Sequence, residues 1–311
     1  MAEPAGGTGI SAGRRVAPWS LMILAILWGS TFFSIKRVLT VLPVTDFLAV
    51  RFLISTLLLV AVFHRHLKMR REVWLRGTLL GVLWATAQLL QTAGLARTSA
   101  ALSGFVTGLY VVFTPILGLL LFRLRVSRWV WVAVGLATAG LAALTLRPAA
   151  GLIGAGELLT IGCAIVYGLH IAVLGRWSNP RDAAGLTLAQ AFAMTVVFIV
   201  AALPGGITLP PTGIDWAWMA YLAVPCGAVA LLVQTWAQGH LDASKAAVIM
   251  CSEPLWATFF AILFGGERPN WLFAVGAAAI LAAMYLVIRP PGQSRETSLS
   301  LPTPTPAQPR H

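Results

Sequence analysis

The stretch Ala243–Phe264, ASKAAVIMCSEPLWATFFAILF, carries the reading of this chain. It is an apolar run long enough for a helix to cross a bilayer, with Glu253 and Pro254 near its middle. A carboxylate at bilayer depth is costly wherever it meets lipid, so it should face protein or a water-filled cavity, which makes it a functional candidate. Pro254 has no amide hydrogen and crowds the preceding turn. In a continuous helix it would kink the axis and leave the Met250 carbonyl unpartnered beside Glu253.

The remaining chain has the same character. Of its 311 residues 58% are hydrophobic and only 10% charged, with a mean hydropathy of +0.83, the composition of a multi-pass membrane protein. The net charge of +12 does not indicate nucleic acid, because the cations lie in short loops between apolar runs and not on a polar surface with interleaved aromatics. Cys163, Cys226 and Cys251 fall inside apolar runs without metal-ligand spacing, so no disulfide framework, metal or other cofactor is expected. The first apolar run lacks a small-residue cleavage site and reads as a retained helix.

Ten runs of helical length predict an all-α membrane protein: 18–38, 44–63, 75–96, 100–122, 129–146, 157–176, 186–204, 215–237, 243–264 and 270–288. Residues 1–17 and the Pro-rich 290–311 read as disordered tails, and the Gly- and Pro-containing 147–156 as a linker between two five-helix halves, 18–146 and 157–289. With both termini cytoplasmic, most Lys and Arg residues fall inside, among them Arg14, Arg15, Arg65, Lys68, Arg70, Arg71, Arg176 and Lys245. Lys36, Arg37, Arg97, Arg147 and Arg268 fall outside. The chain is therefore expected in the cell (inner) membrane.

The halves repeat each other. Trp28-Gly29 recurs as Tyr167-Gly168 and Pro115 as Pro254, both 139 residues on, while Gln91-Thr92 recurs as Gln234-Thr235, 143 residues on. This spacing predicts an extra turn in the fourth span, equivalent kinks at Pro115 and Pro254, and Thr114 as the counterpart of Glu253. Arg51 answers to Gln190. An odd number of spans per half turns the second half upside down, giving an inverted repeat with a substrate site near the midplane.

Trp28-Gly29-Ser30-Thr31, Arg51-Phe52, Thr98-Ser99-Ala100-Ala101, Gly156-Glu157-Leu158-Leu159, Glu253-Pro254 and Gly266-Glu267-Arg268, in this order over ten spans, resemble the EamA family of the drug/metabolite transporter superfamily. The resemblance covers about residues 17–289. It implies a central cavity lined from both halves, usually serving efflux of small metabolites.

Candidate cavity residues follow from helical spacing. Trp84, Gln88 and Gln91 share one face of the third span; Ser103, Thr107, Tyr110 and Thr114 share one of the fourth; Thr160, Cys163, Tyr167 and His170 share one of the sixth. Trp84, Gln88, Gln91, Thr107, Tyr110, Tyr167, His170 and Glu253 are the expected substrate contacts, against the plainer alternative that such groups only bond neighbouring helices. Trp28, Pro115 and Pro254 are assigned to the scaffold. Arg51 either pairs with a carboxylate such as Glu253, pins free carbonyls, or recognises an anionic substrate group. Glu253 could bind a cationic substrate, carry a proton, or pair with Arg51 or Lys36.

The expected function is a gradient-driven secondary transporter of an amino-acid-like, amphipathic or drug-like metabolite, working by alternating access and more in the outward direction. Its partners are the substrate, the lipid bilayer and, as a candidate coupling ion, the proton. A facilitative or importing permease is the alternative; a membrane-embedded enzyme or sensor is remote, because no nucleophile–base constellation or nucleotide-binding motif is present. Nothing in the sequence specifies an oligomeric state.

Overall fold

The computed structural model describes residues 7–98, 100–123, 126–145, 154–265 and 271–288, and every regular element among them is helical. Helix α1, Gly7–Val38, turns into α2, Val44–Phe63, and a 3-10 turn, His64–Lys68, leads to α3, Arg71–Leu95. Two shorter helices follow, α4 (Ala100–Gly108) and α5 (Tyr110–Phe122), and then α6, Arg128–Thr145. The second series begins with α7, Ala155–Trp177, and α8, Ala183–Ala202. Helix α9, Gly213–Ala223, passes through a π-helical turn, Val224–Val229, into α10, Ala230–Gln238. The described chain closes with α11 (Ala243–Met250), α12 (Glu253–Gly265) and α13 (Trp271–Ile288).

Eight stretches among the described residues are long and apolar enough to cross a membrane, α4 with α5 and α9 with α10 each counting as one. The expected fifth span has a shorter apolar part, Arg128–Ala143. The expected ninth span is not one kinked helix but two, α11 and α12, because the ladder stops at Cys251-Ser252. There the Ser252 amide bonds Ile249 O at 3.3 Å in 3-10 fashion, and the Ser252 hydroxyl donates to the same carbonyl at 2.8 Å. Pro254 then lies in the first turn of α12, where a missing amide hydrogen costs nothing. Pro225 likewise produces a π turn in place of a simple bend.

The amino-terminal segment departs from the expected disordered tail, since α1 already begins at Gly7. Once the membrane-length part of α1 nucleates the helix, Ala12, Arg14, Arg15 and Ala17 extend it at little cost. Pro18 lies inside this helix, and Ala17 is fully buried. Residues 290–311, most of the 147–156 linker and the Gly266-Glu267-Arg268 motif lie outside the described residues.

The helix boundaries correct the register of the repeat. Helices α2 and α8 have 20 residues each and start 139 apart, whereas α6 and α13 have 18 each and start 143 apart. The step between the two offsets therefore falls between the second and third members of each series. The break at Leu109 between α4 and α5 matches the one at Ser252, again at 143. Pro115 and Pro254 are not equivalent, there is no extra turn in the fourth run, and the counterpart of Glu253 is Tyr110 rather than Thr114.

Packing obeys the same register. A β-carbon on Gly29 would stand 2.6 Å from Trp256 Cβ and 2.9 Å from the Ala257 nitrogen; one on Gly168 would stand 2.7 Å from Phe113 Cβ and 3.1 Å from the Thr114 nitrogen. So α1 presses on α12 and α7 on α5 through glycines at matched positions, the close helix approach that small residues permit. Thr56 and Thr195, also matched, meet directly at 2.8 Å. Thr195 donates to Phe52 O (2.9 Å), so Thr56 donates to Thr195. Thr195→Val is therefore expected to lower the thermal midpoint of the detergent-purified protein more than Thr56→Val, whose single lost bond costs about 0.6 kcal/mol. Equal midpoints would contradict this donor order.

Two large clusters form most of the interior, with a smaller third around Val73, Leu80, Val173, Leu174 and Leu186. One large cluster gathers Leu21, Leu24, Val111, Leu141, Met250 and Ile280; the other gathers Phe32, Phe47, Phe52, Leu188, Phe198 and Met219. Trp28 and Tyr167 pack against both. Outside, Leu57, Leu120, Val132, Val200 and Tyr285 are exposed, an apolar perimeter suited to lipid.

Candidate functional site

Between the two large clusters lies a narrow cleft of about 50 Å³, room for a few waters in this conformation. Twelve of its twenty lining residues fall in matched pairs under the corrected register: Trp28 with Tyr167, Phe32 with Ile171, Trp84 with Gly227, Gln91 with Gln234, Thr107 with Met250, and Tyr110 with Glu253. The cleft thus takes equivalent positions from both series. Where the partners differ in chemistry it is lopsided.

The aromatic wall is built by Trp28, Trp84 and Tyr167. Trp28 and Trp84 meet edge to face at 5.8 Å, and Trp84 and Tyr167 at 6.5 Å. Trp28 Nε1 donates to Cys226 O (3.2 Å), and Trp84 Nε1 donates to the Tyr167 hydroxyl (3.2 Å). That hydroxyl donates to Gln88 Oε1 at 2.6 Å, and the Gln91 amide reaches Thr107 Oγ1 at 3.4 Å. The tyrosine thereby locks two rings and an amide of α3 and α7 into one network.

Arg51, on α2, is 4% exposed and lines the cleft. Its Nε donates to Leu222 O (3.0 Å) and its Nη2 to Cys226 O (3.2 Å), carbonyls in and beside the π turn made by Pro225. Ser55 donates to Ala223 O at 2.7 Å in the same region. Nη1 is buried without a hydrogen-bond partner among the described residues. The guanidinium lies 5.1 Å from the Phe52 ring centroid and 5.8 Å from that of Phe47, contacts that lessen the cost of burying a cation.

Glu253, 7% exposed, lines the same cleft, with no hydrogen bond or ion pair to its carboxylate among the described residues. It pairs with neither Arg51 nor Lys36. The Tyr110 hydroxyl and Gln234 Oε1 are also buried and, among the described residues, unpartnered, so acceptor-bearing groups line the cleft together with Glu253.

Of the residues singled out by spacing, the structure brings Trp84, Gln88, Gln91, Thr107, Tyr110, Tyr167 and Glu253 into the cleft, joined by Trp28 and Arg51. His170 does not line it. At the edge of its stripe, the ring turns sideways, 5.2 Å from Trp84, and bonds Gln190 at 3.1 Å, which in turn donates to Thr235 (3.1 Å). Pro115 and Pro254 also stay outside the wall. Spacing missed Phe32, Thr92, Cys226, Gln234 and Met250. Gln234 was marked by its repeat of Gln91, while Cys226 is legible only once Pro225 has opened the π turn.

These features define a multi-pass helical membrane protein with a mixed aromatic and polar cleft between two similar helix series. The EamA-like transporter family model matches twice, over residues 17–146 and 154–289, and the chain belongs to that family, within the drug/metabolite transporter superfamily. Two uncharacterized transporters from Archaeoglobus fulgidus are similar. One is 28% identical over 277 residues, spanning 88% of this chain and 86% of the relative; the other is 25% identical, spanning 86% and 95%. A crystal structure of a protein with 16% sequence identity shares the fold at a TM-score of 0.73, covering 89% of this chain and 96% of the other.

Proposed function

We propose that this transporter is a secondary carrier that moves a small polar or amphipathic metabolite, amino-acid-like or drug-like, outward across the cell membrane by alternating access. The observation that carries this reading is a cleft lined by six pairs of matched residues from the two family repeats. In the proposed topology ten spans form a five-plus-five inverted repeat with both termini cytoplasmic, α11 and α12 together making the ninth. Discontinuous helices beside a midplane site are the usual parts of such carriers. The glycine seams between α1 and α12 and between α7 and α5 allow one bundle to rock against the other. Trp84, Gln88, Gln91, Thr107, Tyr110 and Tyr167 contact the substrate, and Glu253 binds its cationic part or exchanges it for a proton.

Purified full-length protein in proteoliposomes, given a metabolite panel with and without a pH gradient, tests the reading. Saturable flux of at least one member is expected; no flux above empty liposomes for any member would sink it. Tyr167→Phe is expected to weaken the best substrate about tenfold, because the Trp84 indole and Gln88 carbonyl each lose a partner in a buried place. Unchanged half-saturation would separate this network from binding.

A further inference from the structure

We propose that Arg51 is the cleft's receptor for a carboxylate, so that the substrates of this protein carry one carboxylate group; this deepens the transporter reading and rests on it. Two of the guanidinium's nitrogens are committed to Leu222 O and Cys226 O, which fixes its plane against the π turn. The third, Nη1, is buried, without a partner among the described residues, on a residue that lines the cleft. A buried donor left unpaired is costly, and a charged one more so.

The repeat shows that pinning helices at this position does not need a charge. Gln190, the counterpart of Arg51, holds His170 and Thr235 with a neutral amide and lies outside the cleft wall. In Arg51 the positive charge and the spare donor are surplus to that task. Among the described residues no carboxylate lies within ion-pair distance of it, and the Phe47 and Phe52 rings soften its burial without neutralising it. A ligand carboxylate supplies both the missing acceptor and the missing charge.

Charge balance selects the class of anion. Among the described residues lining the cleft, Arg51 is the one cation and Glu253 the one carboxyl group. With Glu253 protonated, a single negative charge balances Arg51, whereas a phosphate dianion would bring a second one that the lining does not match. The flanking Trp28, Phe52 and Trp84 suit an apolar or aromatic body on that carboxylate.

Three probes sharing one body, 3-phenylpropionate, 3-phenylpropan-1-ol and 3-phenylpropylamine, test the assignment by equilibrium dialysis against full-length protein in detergent. Wild type is expected to prefer the carboxylate to the alcohol. Arg51→Gln is expected to weaken the carboxylate about ten- to hundredfold and the alcohol little, the range of a hydrogen bond to a charged group. Arg51→Lys keeps the charge but cannot serve both carbonyls and ligand, so an at least threefold selective loss is expected, and this variant decides the matter if Arg51→Gln does not fold. Ser55→Ala removes the neighbouring clamp on Ala223 O and should lower thermal stability without altering probe preference.

The proposal is overturned if wild type binds no carboxylate or prefers the alcohol, if Arg51→Lys binds as wild type does, if Arg51→Gln weakens all three probes alike, or if Ser55→Ala shifts preference as much as Arg51→Gln. Probe binding without flux of any panel member would instead sink the transporter reading and leave the carboxylate site standing.

Discussion

Glu253→Gln is expected to abolish substrate accumulation driven by a pH gradient while leaving counterflow exchange within about threefold of wild type, because Gln has nearly the shape of the protonated acid but cannot release a proton. The sign follows from the proposed exchange. Protons run from the acidic to the alkaline compartment, so substrate moves the opposite way and accumulates on the acidic side. Reversing the gradient should reverse the accumulation. The physical ground is the setting of the carboxylate, at the start of α12 beside the Cys251-Ser252 break, lining the cleft without a partner among the described residues. Its backbone carbonyl lies where a β-carbon on Gly29 would meet it at 2.8 Å, so a change of charge on Glu253 is felt at the seam between α1 and α12. Two arrangements of that seam, biased differently by the charged and neutral side chain, are what coupling requires. Gradient-driven accumulation equal to wild type in Glu253→Gln would remove the proton from the mechanism.

The second large effect is expected at the matched glycines. Gly29→Val and Gly168→Val should each lower stability by about 1–3 kcal/mol, the usual cost of forcing volume into a packed seam, and should do so to a similar degree. Even the first added carbon would stand 2.6 Å from Trp256 Cβ in one seam and 2.7 Å from Phe113 Cβ in the other, and the backbones behind them leave nowhere for it to go. Thermal unfolding of the purified variants measures this directly. If one variant melts like wild type and the other does not, the seams are not equivalent and the two series do not move as matched units. Flux should fall along with stability, since rocking of the series is proposed to slide along these seams.

Much of the architecture was legible in the residues. Apolar runs of membrane length, breakers between them and recurring Trp/Tyr-Gly pairs announced an all-helical membrane chain built from two similar halves, because hydrocarbon admits few backbone arrangements and each must satisfy its own hydrogen bonds. Spacing along α3, α4, α5 and α7 also placed six of the cleft residues, Trp84, Gln88, Gln91, Thr107, Tyr110 and Tyr167, since residues on one helical stripe share a direction. His170 shows the limit of that inference. A stripe is wide enough that its edge residues face a neighbouring helix, and here Gln190 on α8 offered the closer partner.

The register was misread for a different reason. Pro115 and Pro254 invite alignment because prolines are conspicuous, yet where the helix breaks depends on which carbonyls find other donors, and that is a property of the packed chain. Only the tertiary structure aligned Leu109 with Ser252, which made Tyr110 the counterpart of Glu253 and placed both in the lining of one cleft. The pairing of Arg51 was equally beyond sequence. An arginine inside a span must find acceptors, but the candidates were a distant carboxylate and any carbonyl freed by a proline, and the choice turned on the π turn that Pro225 opens more than 170 residues away. The sequence by itself determined a duplicated helical membrane protein, because composition and periodicity act locally, while its ordered motifs carried the resemblance to a transporter family. The tertiary structure decided which polar groups remain unspent in its cleft, because hydrogen-bond satisfaction is settled between helices.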